Sequence, residues 1–281
     1  MTDMTEKRVD IDGLKYYAMV ERPSSRRRSE RYVLLCHALM SNLHMYDRTV
    51  KALNNAGYTT IRFDHIGHNN TRPPSEDDAS FHMDDITRHM HQLVEAVTNQ
   101  QHVDAVIGCS IGGVLALRYA MLYPDDVDST ISIAAPGITT PEASKPLWTQ
   151  RIEQFEDDVR TCSDSLCHAT VNRWFPGGRP EDDAVRTEAL SHVQTCSLKG
   201  YKSLADTIRD YDYGEEVRGI RNVKCLVVAG SEDSAVSPGL LKDVASRIVD
   251  AKYVKMEGAG HLPPMHKVEE FNGMMLGFLQ S

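Results

Sequence analysis

The sequence predicts an α/β protein with a mostly parallel central sheet covered by helices on both faces. Three observations carry that prediction. First, VDAVIG (103–108) is a short apolar run, CSIGG is a tight connection, and VLALRYAML (114–122) is a helix apolar on nearly every face. A strand and helix buried this thoroughly belong in the middle of a sheet covered on both sides. Second, DSTISIAA, VKCLVVAG and AKYVKME recur as strand-like segments, with helical spacing in the stretch after VKCLVVAG. Third, 281 residues with 41% hydrophobic and 25% charged side chains can bury one large core, and no run approaches the 18 or so apolar residues of a membrane span.

Element by element, Tyr16 to Glu21 and Tyr32 to Cys36 read as early strands, joined by the basic, turn-like PSSRRRSER, a solvated hairpin loop. Apolar positions Leu43, Tyr46, Val50 and Leu53 repeat at helical spacing before a Gly57 stop. YTTIRFD is a strand ending at Asp64, GHNNTRPPSEDD a long loop, and Ile86, Met90, Leu93, Val94 and Val97 form the stripe of the next helix. Towards the C-terminus, Pro238 opens a helix carrying Leu241, Val244, Ala245 and Ile248. A last helix has Val268, Phe271, Met275, Phe278 and Leu279 on one stripe. Between about Gly137 and Gly219 the alternation fails. That segment is polar, contains Trp148 and the turn WFPGG (174–178), and reads as a helical insert between two strands. The expected division is therefore a core of residues 1–137 and 220–281, with an insert of 138–219.

Charge and cysteine usage narrow the function classes. A formal net charge of −9 argues against nucleic acid or an anionic membrane as partner. The opening MTDMTEKRVDIDG lacks the apolar core of a secretory signal, so a cytoplasmic protein is expected. Six cysteines without paired short spacing fit a reducing compartment and no metal site, and no cofactor is called for. The oligomeric state is left open.

The chemistry is carried by Gly108-Cys109-Ser110-Ile111-Gly112, a G-x-S-x-G sequence between a buried strand and a buried helix. A very tight strand-to-helix turn projects the serine away from the backbone, and glycines on either side remove side chains that would collide. Cys109, on the strand side, is expected to face the core. A serine hydroxyl needs a base to act as nucleophile. Among twelve histidines, His261 follows a strand in EGAGH, at the sheet's C-terminal edge. Asp233, on the loop after VKCLVVAG, supplies the acid, with Glu232 the fallback. The backbone N–H groups of Ile111 and Leu39 are the expected donors to a developing oxyanion. His37 and His44 are candidates to contact substrate, whereas Asp64 and His68 are read as braces of their loop.

These motifs together resemble the α/β-hydrolase superfamily, and within it the 3-oxoadipate enol-lactonases and related small-ester hydrolases. HALMSNLHMYDRTVKAL is similar to their oxyanion loop and following helix, and FDHIGH to their second loop. GCSIGG is similar to their nucleophile elbow, GSEDSAVSP to the acid loop and GAGH to the histidine loop. The resemblance implies an α/β-hydrolase fold with a helical cap after the sixth strand, the place of 138–219, and Trp174 approaching the substrate pocket from NRWFPGG. It implies hydrolysis of a small ester or lactone, such as an enol-lactone or aryl lactone, through an acyl-enzyme on Ser110. Carboxylesterase, thioesterase, amidase or lactamase, and carbon–carbon hydrolase chemistry are alternatives, as is a slow-turnover ligand receptor. The sequence departs from the enol-lactonases in having His37-Ala38 where they carry an asparagine-serine pair, and Asn69-Asn70 where they favour glycine and a small residue.

Overall fold

A computed structural model describes residues 3–23, 31–74 and 81–281. In chain order it contains β1 (Asp3–Ile11), β2 (Leu14–Arg22), β3 (Tyr32–Cys36), α1 (Asp47–Asn55), β4 (Thr59–Phe63), α2 (Met83–Thr98), β5 (Val103–Cys109), α3 (Ile111–Leu122) and β6 (Val127–Ile133). Four helices follow, α4 (Lys145–Thr161), α5 (Ser165–Trp174), α6 (Asp183–Val193) and α7 (Leu198–Arg209). The chain then returns to β7 (Lys224–Gly230), α8 (Pro238–Ser246), β8 (Lys252–Met256), α9 (Pro263–His266) and α10 (Val268–Leu279). The hairpin-loop reading of PSSRRRSER falls mostly on 24–30, outside the described residues, as does the end of the loop GHNNTRPPSEDD.

The strands form one eight-stranded sheet in the order β1-β2-β4-β3-β5-β6-β7-β8. β1 and β2 are antiparallel, β2 meets β4 antiparallel, and every pair from β4 to β8 is parallel. β5 lies centrally, with Val103, Ala105, Val106, Ile107 and Cys109 all fully shielded from solvent. The helix that follows is buried along nearly its whole length, which explains its lack of an amphipathic stripe. This central placement sets Ser110 at the carboxyl edge of the sheet, where α/β folds place their ligands.

The hydrophobic pattern did not foreshadow β1. As an edge strand it is exposed on most positions and buries only Ile11, so it carries no apolar alternation. The signal it does carry is the turn Asp12-Gly13, both at positive φ, a two-residue hairpin connection. The helix expected over Leu43 to Leu53 divides into a 3₁₀ turn (Leu43–Tyr46) and α1. Here the Asp64 carboxylate takes the Leu43 N–H at 3.0 Å and the Asn42 side chain takes that of His44, also at 3.0 Å. Two amides engaged by side chains leave the first turn tightened.

Buried charge ties the helices to the sheet. Arg118 on α3 pairs with Asp84 of α2 at 2.7 Å and with Glu216, and its guanidinium lies over the Tyr213 ring at 4.2 Å. This cluster also fixes the far end of the four-helix stretch between β6 and β7. The two ends of that stretch are joined by backbone bonds, Thr140 N–H to Tyr211 O (3.0 Å) and Tyr213 N–H to Ile138 O (2.8 Å). The ninety residues between β6 and β7 thus leave and re-enter the sheet at adjacent strands through a closed neck. No helix among the described residues is long and apolar enough to cross a membrane.

Candidate active site

The turn at Ser110 follows from its glycines. A Cβ on Gly108 would lie 1.8 Å from the Gly112 carbonyl oxygen, and one on Gly112 would lie 2.2 Å from that of Cys36. Both distances are far inside contact, so neither position accepts a side chain. The close fit leaves Ser110 at φ 58°, ψ −119°, a backbone conformation L-residues rarely adopt. Its own N–H is anchored on Ile133 O of β6 at 2.8 Å. Strain of this kind persists only where the surroundings over-determine it, and here strand, helix and the loop after β3 all do.

His261 and Asp233 meet at the ends of β8 and β7. The His261 Nδ1–H donates to Asp233 Oδ2 at 2.7 Å, and both side chains are almost wholly buried. The other carboxylate oxygen, Oδ1, accepts the N–H groups of Ala235 (2.7 Å) and Val236 (3.0 Å). The Asp233 carboxylate is therefore fully engaged and held in one orientation. The fallback acid Glu232 points elsewhere, onto Arg179 at 2.9 Å. The histidine loop is braced from both sides: His261 N–H donates to Trp174 O at 2.9 Å, and Gly260 N–H to His266 Nδ1 at 2.8 Å. Gly260 has to be glycine, because a Cβ there would lie 2.1 Å from the Trp174 oxygen.

Ser110, His261, Leu39 and Trp174 line one cavity of about 90 Å³, walled on its outer side by α4, α5 and α7. Ser110 and His261 share it without a hydrogen bond between them among the described residues. The Leu39 and Ile111 N–H groups, the oxyanion donors expected from the sequence, find no acceptor among the described residues. Cys109 is buried with its thiol on the His261 carbonyl (3.5 Å), and burial pushes that thiol well above its usual range, so it stays protonated.

Two candidate substrate contacts are corrected. His37 does not reach the cavity. It is fully buried, with Nδ1–H donating to Ala38 O (2.8 Å) and Nε2 accepting the His65 N–H (2.9 Å). His44 is also outside the lining; it is partly exposed and pairs with Asp47 at 3.2 Å. Asp64 and His68 brace the loops. Asp64 accepts N–H groups of Leu43 and Asn70 and the Asn69 amide, and His68 Nε2 accepts the Met40 N–H at 3.0 Å. The sequence reading missed the polar part of the cavity wall, Arg151 and Arg173. Arg173 stands beside Trp174 in NRWFPGG, and Arg151 follows Trp148 by three positions on α4, so their adjacency to the two tryptophans was the available signal. Neither arginine makes an ion pair among the described residues. Arg151 lies over the Trp148 ring at 4.8 Å and Arg173 donates to Thr170 Oγ1 at 2.7 Å. Burial, and then the facing charge of Arg151, lower Arg173 to about 10.

The sequence family model for the alpha/beta hydrolase fold matches residues 32–268. The chain belongs to the α/β-hydrolase family. Its relatives include Lipase 3 of Moraxella sp. (strain TA144), 23% identical over 252 residues that cover 85% of this chain and 74% of the lipase. Among solved structures, the enol-lactonase from Burkholderia xenovorans LB400 superposes with a TM-score of 0.85 at 22% identity, over 98% of this chain and 100% of the other. An esterase from Exiguobacterium antarcticum gives 0.83 at 20% identity, over 99% of each chain.

Behind the elbow of this α/β-hydrolase lies a cluster of buried histidines. His37, His65 and His68 pack together, with ring centroids 4.2, 5.5 and 6.1 Å apart. Burial lowers His65 to about 3, His68 to about 4, and His37 well below its ordinary value. In the unfolded chain each titrates near 6.5, so the unfolded state takes up protons first as pH falls, and stability is lost from about pH 6.5 downwards. Asp64, raised to about 6 by burial, has the opposite sign between about 6 and 4. At pH 5 each histidine costs on the order of 2 kcal/mol, against about 1 kcal/mol returned by Asp64. The melting temperature is expected to drop by roughly 10 °C between pH 7.5 and pH 5. An unchanged melting temperature across that range would show that these imidazoles are not buried neutral.

Proposed function

We propose that this α/β-hydrolase is a serine hydrolase that cleaves a small ester or lactone through an acyl-enzyme, the lactone being of enol or aryl type. One observation carries the reading: His261, held by Asp233, lines the same cavity as Ser110, which stands on a strained, glycine-bounded elbow. Ser110 attacks the carbonyl carbon while His261 Nε2 takes its proton, and Asp233 holds the imidazole with Nδ1–H towards it. The Leu39 and Ile111 amides receive the oxyanion. Collapse expels the alkoxide, which His261 protonates; in a lactone this oxygen stays tethered to the acyl group. Water, deprotonated by His261, then releases the acid and restores the Ser110 hydroxyl. In this account α4–α7 act as a cap that keeps bulk water from the chemistry. Six free cysteines, five of them buried, favour a reducing, cytoplasmic setting.

The two guanidinium groups narrow the substrate. They face a cavity that no carboxylate among the described residues lines, in a chain with 40 acidic and 31 basic residues. A substrate bearing a carboxylate relieves their mutual repulsion and gives both a partner. Turnover should be screened over enol-lactones, aryl lactones, esters and amides, each as an anionic and a neutral isostere. The anionic member is expected to have the higher kcat/KM, and Arg173→Met to cut that preference about 10–100-fold. Equal rates for both members, or a preference untouched by Arg173→Met, would remove the anionic substrate from the account. Activity on amides alone would remove the ester.

A further inference from the structure

A second cavity of about 190 Å³ adjoins the first, and the two share the walls Pro136, Trp148, Arg151, Ile208, Ala235 and Val236. The outer cavity adds Thr140, Pro141, Ser144, Leu147, Tyr211 and Leu240, and its only charged lining group among the described residues is Arg151. Leu147 stands 49% exposed at its lip. Neither cavity alone reaches the ~300–1,000 Å³ usual for a small-molecule site, but joined they approach it. The partition between them is a half-buried tryptophan with an arginine stacked on it, two side chains anchored on one helix and free of ion pairs among the described residues.

We propose that the outer cavity is a second subsite of the same active site, which receives an apolar arm of the substrate running past Trp148 and Arg151 from the carbonyl at Ser110. The inference rests on the proposed ester or lactone hydrolysis, and it adds a substrate class: molecules whose reacting group carries an unbranched alkyl or a flat aryl arm of several carbons. The hydroxyls of Thr140, Ser144 and Tyr211 already donate to backbone carbonyls, so among the described residues only Arg151 offers the arm a free donor, and a hydroxylated extension is disfavoured by its desolvation cost. Arg151, shared by both cavities, sets the boundary between the polar and the apolar parts of the substrate.

Two measurements test this on the intact protein. The first is kcat/KM over p-nitrophenyl esters from acetate to octanoate and over acetates of alcohols from methanol to hexanol; the series that rises identifies which side of the ester bears the arm. The second is calorimetric titration of straight-chain alkanoates from acetate to octanoate, which reads the subsite whether or not the chain is an esterase. Affinity is expected to tighten up to about fourfold per methylene while the arm fills the outer cavity. Leu240→Trp and, separately, Leu147→Trp on the exposed lip should flatten that slope and lower the long-to-short ratio of kcat/KM by at least about tenfold, with the melting curve confirming a folded protein. A general structural defect would lower all chain lengths together and leave the ratio alone. Affinity that does not grow with chain length, or a slope that both tryptophan variants leave intact, would overturn the subsite. Loss of all ester turnover with the alkanoate slope retained would instead overturn the hydrolytic reading and leave the subsite standing.

Discussion

Ser110→Ala is expected to lower kcat by on the order of 10⁴–10⁶-fold and to leave the melting temperature nearly unchanged. The two halves of that expectation have separate causes. The hydroxyl is the group that would form the covalent bond, so no neighbour can replace it; Cys109 is buried with its thiol held protonated. The fold, by contrast, does not lean on the hydroxyl, which makes no hydrogen bond among the described residues, while the anchoring N–H to Ile133 remains in the variant. The strained φ of 58° is tolerated by serine and alanine alike because the glycines around it, not residue 110, create the room. Kinetics on the purified variant beside a thermal melt make the check. A kcat near that of the native protein would remove Ser110 from the mechanism, and a collapsed melting curve would show the turn to be held by the side chain after all.

Asp233→Asn should cost roughly 10⁴-fold in kcat. The size follows from which atom each lone pair serves. Oδ1 accepts two backbone N–H groups, so in the asparagine variant the amide oxygen must remain there. The NH₂ group then faces His261 Nδ1 and forces that nitrogen to become the acceptor. The imidazole proton moves to Nε2, the nitrogen that has to take the proton of Ser110. Glu232→Gln, by comparison, loses a partly exposed pair with Arg179 and is expected to change kcat by less than about threefold. A severe loss from Glu232→Gln with little from Asp233→Asn would transfer the role of acid.

What the sequence made legible was whatever depends on burial along a single segment. β5 and α3 announce themselves because both faces are covered, and the elbow between them is fixed by glycines whose replacement would place atoms about 2 Å apart. The hydrolase family follows from those motifs. Less legible was anything settled across the fold. β1 is polar because an edge strand has little to bury, and only its Asp-Gly turn marks it. His37 looked like a substrate contact because it precedes the proposed oxyanion loop. Its direction, however, is set by His65 and His68, about thirty residues away, which draw it into a buried cluster. His44 was drawn outward by Asp47 one helical turn on. The arginines of the cavity wall are invisible to periodicity, because a guanidinium on a polar helix reads as solvated until the sheet brings an apolar chamber to meet it.

The central claim is covalent catalysis at Ser110, and intact-protein mass spectrometry during turnover tests it most directly. The protein is mixed with a slowly deacylating p-nitrophenyl ester, quenched in acid within the first turnovers, and digested. The account predicts one added acyl mass per chain, carried by the peptide that contains Ser110, appearing with a burst of p-nitrophenol and absent from Ser110→Ala. Steady turnover without any adduct, or an adduct carried by Cys109 and still formed in Ser110→Ala, would contradict it.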